Sequence, residues 1–197
     1  MSADGWRKRR WFGLVLTVGF AVLSSRAEAA EKQLRPFAAV TFGSETTFVV
    51  AQGATNLAVG VGADILWNIV GIDVDVAHAP GFFESTELVL SSSVTTVTGS
   101  VVLTLPRQMT GYSLRPYFVS GGGFMRVRIS DALEALLIRA TLPTFDIGGG
   151  ATGFVSERWG LNWDVRYFRG SNREAKGLSI GSEQLSFWRA SMAVVLR

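Results

Sequence analysis

The feature that most limits this chain is a period-two alternation of apolar with small or polar residues, recurring along most of its length. Leu57, Val59, Val61, Ala63, Ile65 and Trp67 share one parity, and Ala58, Gly60, Gly62, Asp64 and Leu66 stand between them. Val70, Ile72, Val74 and Val76 alternate with Gly71, Asp73, Asp75 and Ala77. Further runs begin at Val97, Tyr117, Phe145, Trp159 and Trp188, and a less regular one spans Leu34 to Gly43. Side chains of a strand point alternately to its two faces, so each run predicts a strand with one apolar face. Counted together, they predict eight strands.

The connections vary in length. Trp67 to Val70 and Ser156 to Arg158 read as tight turns, and Pro106 to Ser113 is modest. Ser44–Thr55, Ala79–Ser92, Ser130–Thr141 and Gly170–Gln184 read as long loops. Short and long links in alternation predict an all-β fold, an eight-stranded antiparallel up-and-down barrel with one ornate end. After the leader no stretch offers 18 uninterrupted apolar residues, so no transmembrane helix is expected.

The leader reads as an export signal. Arg7-Lys8-Arg9-Arg10 precedes an apolar run from Trp11 to Leu23, and Ala27-Glu28-Ala29 follows. A basic region, a short apolar region and an A-x-A site make a secretory signal peptide. The expected division is residues 1–29 as signal and 30–197 as barrel domain. The leader also holds five of the 19 bases and two of the 16 acids, so the remainder is electrically neutral. The net charge of +3 therefore gives no argument for nucleic acid, and no nucleic-acid partner is expected. With no cysteine and a single histidine, thiol chemistry and His-rich metal sites are excluded. No cofactor or metal is expected.

Two exported barrels show such alternation. A soluble ligand-binding barrel hides its apolar face, whereas a membrane barrel turns it to lipid and keeps polar residues within. The non-apolar face here is rich in Gly, Ser, Thr and Asn, and after the leader the lysines are Lys32 and Lys176 alone. A water-facing surface would ordinarily carry many Lys and Glu. Trp67 and Trp159 adjoin tight turns, Tyr117 lies near the start of its strand, and Tyr167 and Trp188 lie toward the long-loop end. These five are the expected membrane-interface aromatics, in two girdles. Trp163, mid-strand, falls outside that pattern.

The stretches Leu114–Phe124, Trp163–Phe168 and Phe187–Arg197 resemble the small eight-stranded outer-membrane barrels of the OmpA/OmpX/OmpW-like group. The resemblance covers about Pro36 to Arg197. It implies residence in the bacterial outer membrane, with membrane lipid as a partner and the barrel-assembly machinery as a partner during insertion. A monomer is expected. Such barrels usually end on an aromatic residue, whereas this sequence ends at Arg197.

Parity assigns Asp64, Asp73, Asp75, Asp146 and Asp164 to the lumen, with Arg35, Arg126, Arg128, Arg166 and Arg189 as counter-charges. An eight-stranded barrel is only wide enough to be filled by side chains, so these charges are expected to pair as a structural network. A narrow ion path is the alternative use of the same residues. His78 ends the third strand, and with Ser85, Glu84 or Glu87 it could form a hydrolase triad, but no G-x-S-x-G elbow is present. Gly121–Gly123 and Gly148–Gly150 lack the Lys-Ser/Thr of a phosphate loop and read as places of close backbone approach. Ala132–Ala140 has helix-prone composition, and Phe82, Phe83 and Leu90 make another loop apolar, which suits loops packed as a lid. The expected function is non-enzymatic: a structural or adhesive barrel, or a narrow pore. A lipid-modifying barrel enzyme and a soluble periplasmic ligand-binding barrel are the alternatives.

Overall fold

The structure, a computed structural model, describes residues 30–47, 55–83, 89–106, 114–131, 137–172 and 183–197. The expected leader, residues 1–29, lies outside them. The strands are β1 (Glu31–Thr46), β2 (Asn56–Leu66), β3 (Val70–Pro80) and β4 (Val89–Thr104), then β5 (Leu114–Asp131), β6 (Leu137–Phe154), β7 (Trp159–Asn172) and β8 (Glu183–Leu196). Each pairs antiparallel with its sequence neighbours, and β8 pairs with β1, so the sheet closes and leaves no unpaired edge.

The register sets the shape. Starting from Glu31, the residues directly opposite one another are Leu66, Gly71, Val102, Val119, Gly148, Arg166 and Arg189, and the circuit returns at Thr41, ten residues farther along β1. That stagger tilts the strands by about 35–45° to the barrel axis. It also brings residues well separated in sequence to one level of the lumen.

The apolar face points outward. Val61, Val74 and Val165 are 43%, 49% and 43% exposed, whereas Asp73, Asp146 and Arg166 are 0%, 0% and 1% exposed. Two apolar clusters nevertheless lie inside. Leu66, Val102 and Val119 sit toward the short-turn end with Tyr117 against them. A larger cluster fills the loop end and includes Phe82, Met125, Val127, Leu142, Phe168 and Phe187.

β5 departs from the sequence reading. Val119, Met125, Val127 and Ile129 face inward, and Arg126 and Arg128 are exposed on the outer face. Val119 packs inward on Leu66 and Val102 toward the short-turn end. For Met125, Val127 and Ile129 the cause is the apolar upper lumen, where the hydrophobic parity of β5 serves the interior and its outward parity turns basic. β6 also begins earlier than expected. Leu137–Ala140, within the helix-prone stretch, is strand paired to β5, so this connection shrinks to residues 132–136, which lie outside the described residues.

Candidate functional site

The lumen is built in layers. At the short-turn end Glu31 of β1 meets Arg115 of β5, Nη1 to Oε2 at 3.2 Å, and Arg197 also binds Glu31. Arg115 donates to Thr104 Oγ1 at 2.9 Å. Neither Glu31 nor Arg115 is among the lumen charges that parity assigned. The inverted parity of β5, once recognised, would have found Arg115.

Above this lies the ionic layer. Asp64 and Asp73 stand directly opposite one another on β2 and β3, a like-charge arrangement that would be repulsive alone. Arg35 of β1 lies between them and donates from Nη2 to Asp64 Oδ1 at 2.9 Å and to Asp73 Oδ1 at 2.6 Å. Arg166 and Arg189, opposite one another on β7 and β8, mirror this arrangement. Arg166 Nε donates to Asp164 at 2.9 Å, while its Nη1 lies 2.6 Å from Asp73 Oδ2. The latter is an ion pair without hydrogen-bond alignment. Arg189 grips Asp75 with two parallel bonds of 2.8 and 2.9 Å, a geometry suited to a planar guanidinium.

Three arginines thus serve five aspartates, and neutral donors complete the set. Ser100 donates to Asp146 at 3.0 Å, with Arg166 Nη1 3.8 Å away. The Tyr117 hydroxyl donates to Asp164 Oδ2 at 2.7 Å and accepts from Asn162 Nδ2 at 3.0 Å. Tyr117 is therefore a lumen residue, not an interface aromatic. It follows the inverted parity of β5, as do the outward Arg126 and Arg128, which contribute nothing to the network. The glycines on the inward face of β6 make room for these large groups. A Cβ on Gly150 would stand 2.0 Å from the Trp163 carbonyl and 2.8 Å from the Tyr117 hydroxyl.

The third layer is aromatic. The Arg189 guanidinium lies between the rings of Phe37 and Phe168, 4.8 and 4.7 Å from their centroids, at the boundary of the two layers. Phe168 stacks on Phe187 at 5.2 Å, and Phe82 meets Phe187 edge-on at 5.0 Å. Phe82 and Phe83 enter from above, where the chain leaving β3 folds back at Gly81, whose φ of 64° favours glycine. Asn56 Nδ2 holds the Phe82 carbonyl at 2.7 Å, and the Phe83 amide donates to Ser92 Oγ at 3.0 Å. This is a cap made by part of one connection. Leu90 lies in β4, and its side chain is outside what is described. A cavity of about 20 Å³, lined by residues such as Gln33, Arg35, Arg115 and Tyr117, lies near the short-turn end. It has room for about one water.

On the outer wall Trp67 and Trp159 are exposed beside the short turns. Tyr167 and Trp188 form a cross-strand pair toward the loop end, with ring centroids 5.1 Å apart. Trp163 is exposed between these levels. His78 is on the outer face, with Nδ1 2.9 Å from Thr95 Oγ1. No carboxylate orients its ring among the described residues. Ser85, Glu84 and Glu87 lie outside the described residues.

Paired charges inside and an apolar wall outside define the architecture of a transmembrane β-barrel. The chain has the fold of the small eight-stranded outer-membrane barrels. It is similar to Neisserial surface protein A, with a TM-score of 0.62 and 14% identity over 85% of this chain and 99% of that one. OprG of Pseudomonas aeruginosa gives 0.59 and 12% over 86% and 96%. Outer Membrane Protein W of E. coli gives 0.53 and 15% over 86% and 98%. No protein-family model matches the sequence, and no curated protein matches it significantly.

Proposed function

We propose that this protein is exported by a cleaved leader and resides in a bacterial outer membrane as a closed, non-enzymatic barrel. Its role is structural or adhesive, presented by the loop end, and solutes do not pass through it. The observation that supports this reading most strongly is the inverted polarity: buried Arg–Asp pairs line the lumen while Val, Leu, Phe and Trp cover the outside. A soluble barrel would hold that apolar surface in water, against the hydrophobic effect. Against passage stands the filling of the bore, first by ion pairs and then by Phe82, Phe168 and Phe187. Against lipid-modifying catalysis stands the His78–Thr95 pair, an imidazole and a hydroxyl without an acid to orient them among the described residues.

Membrane fractionation combined with heat-dependent electrophoresis tests the reading. The processed chain is expected in the outer-membrane fraction, migrating faster unheated than boiled. Recovery in the osmotic-shock fraction, with a single mobility, would overturn it.

A further inference from the structure

The outer face of β5 changes character at its loop end. Its outward side chains include Leu114, Pro116, Phe118 and Phe124, and the next outward positions are Arg126 and Arg128. Arg139 on β6 lies directly opposite Arg128 on the same exposed face, so their Cβ atoms stand about 5 Å apart. Arg126 is one pleat along, about 7 Å away. None of the three has an ion-pair or hydrogen-bond partner among the described residues. Like charges directly opposite destabilise a strand pair, so this arrangement is suited to holding an anion.

The surroundings say what kind of anion. Thr95 and Thr141 flank Arg126, and Ser93 flanks Arg128, so hydroxyls stand beside every guanidinium pair position. Immediately below, Phe124 is 62% exposed, with Val97 and Pro143 on either side. From Leu114 to Phe124 a tilted strand rises about 25 Å, the height of the apolar band of a membrane barrel. Arg126 therefore stands where acyl chains give way to headgroups. Guanidinium forks bind phosphate oxygens with paired hydrogen bonds, and an apolar wall beneath suits the lipid tail of the same ligand.

We propose that Arg126, Arg128 and Arg139, with the hydroxyls of Ser93, Thr95 and Thr141, bind the phosphate-bearing headgroup of an outer-leaflet lipid. The site rests on the membrane-embedded reading above. The test titrates the folded full chain in dodecyl maltoside with diphosphoryl lipid A and, separately, with its dephosphorylated counterpart. Bound lipid is counted by native mass spectrometry, and inorganic phosphate serves as competitor. The triple variant Arg126→Gln/Arg128→Gln/Arg139→Gln is expected to bind diphosphoryl lipid A about tenfold or more weakly. It should keep the heat-dependent mobility shift, because all three side chains lie outside the barrel. The dephosphorylated lipid should bind both proteins weakly, and inorganic phosphate should not displace the lipid. Equal binding by parent and variant, indifference to the lipid's phosphates, or displacement by inorganic phosphate at lipid-like concentrations would overturn the site. A parent chain without any heat-dependent shift overturns the membrane-embedded reading and the site with it.

Discussion

Arg166 on β7 reaches Asp73 on β3 across the full width of the lumen, Nη1 to Oδ2 at 2.6 Å. These strands are diametrically opposed in an eight-stranded circuit. One pair thus spans the bore, and Arg35 joins the same aspartate from β1. The network braces the wall from inside. It gives little net stability compared with an apolar filling, but it is costly to break.

Asp73→Ala is expected to destabilise the barrel by about 3–5 kcal/mol, because Arg35 and Arg166 both lose a buried partner. Equilibrium urea unfolding in lipid vesicles measures it. The variant should remain non-conducting, since the aromatic layer above is untouched. An unchanged unfolding midpoint would show that the pairs are not coupled as described.

Much of this was legible in the sequence, and the failure is instructive. Period two placed Asp64, Asp73, Asp75, Asp146, Asp164, Arg35, Arg166 and Arg189 on the inward face, where the structure has them. It misassigned Arg126 and Arg128 because "apolar equals outward" holds only where the lumen is polar. It misassigned Tyr117 because an amphipathic ring can turn inward when its hydroxyl finds partners, here Asp164 and Asn162. In the loop half the lumen is apolar, so Met125, Val127 and Ile129 alternate with outward arginines and reverse the rule. The cap was half visible: Phe82 and Phe83 read as lid residues, but the fold-back at Gly81 that carries them inside depends on backbone geometry. Phe168 and Phe187 had the inward parity of Arg166 and Arg189, yet composition alone did not show that they would meet.

The parity of β5 can be read by labelling. A cysteine at Arg126 should react readily with a polar maleimide in the folded barrel, and one at Val127 should react only after unfolding. The chain has no other cysteine to confuse the result. Reversed reactivity would restore the sequence reading.

Val61, Val74 and Val165 are exposed mid-strand on the outer wall. Replacing any one with Arg should cost about 2–4 kcal/mol in a bilayer near its midplane. The readout is again the unfolding midpoint in vesicles. Three neutral substitutions would mean that this wall does not face lipid.

Phe82 is fully buried against Phe83 and Phe187. Phe82→Ala should leave a cavity at the top of the lumen and cost about 3–5 kcal/mol. Proteolysis at the loop end should accelerate in parallel, because the fold-back loses its anchor. Unchanged stability and unchanged cleavage would show that the connection does not act as a cap.

The central claim is that ion pairs and aromatic rings close this barrel. Planar-bilayer recording of the unmodified protein tests it most directly. The account predicts insertion, verified by heat-dependent mobility of the same preparation, without steady conductance. A large, persistent single-channel conductance from the unmodified chain would contradict it.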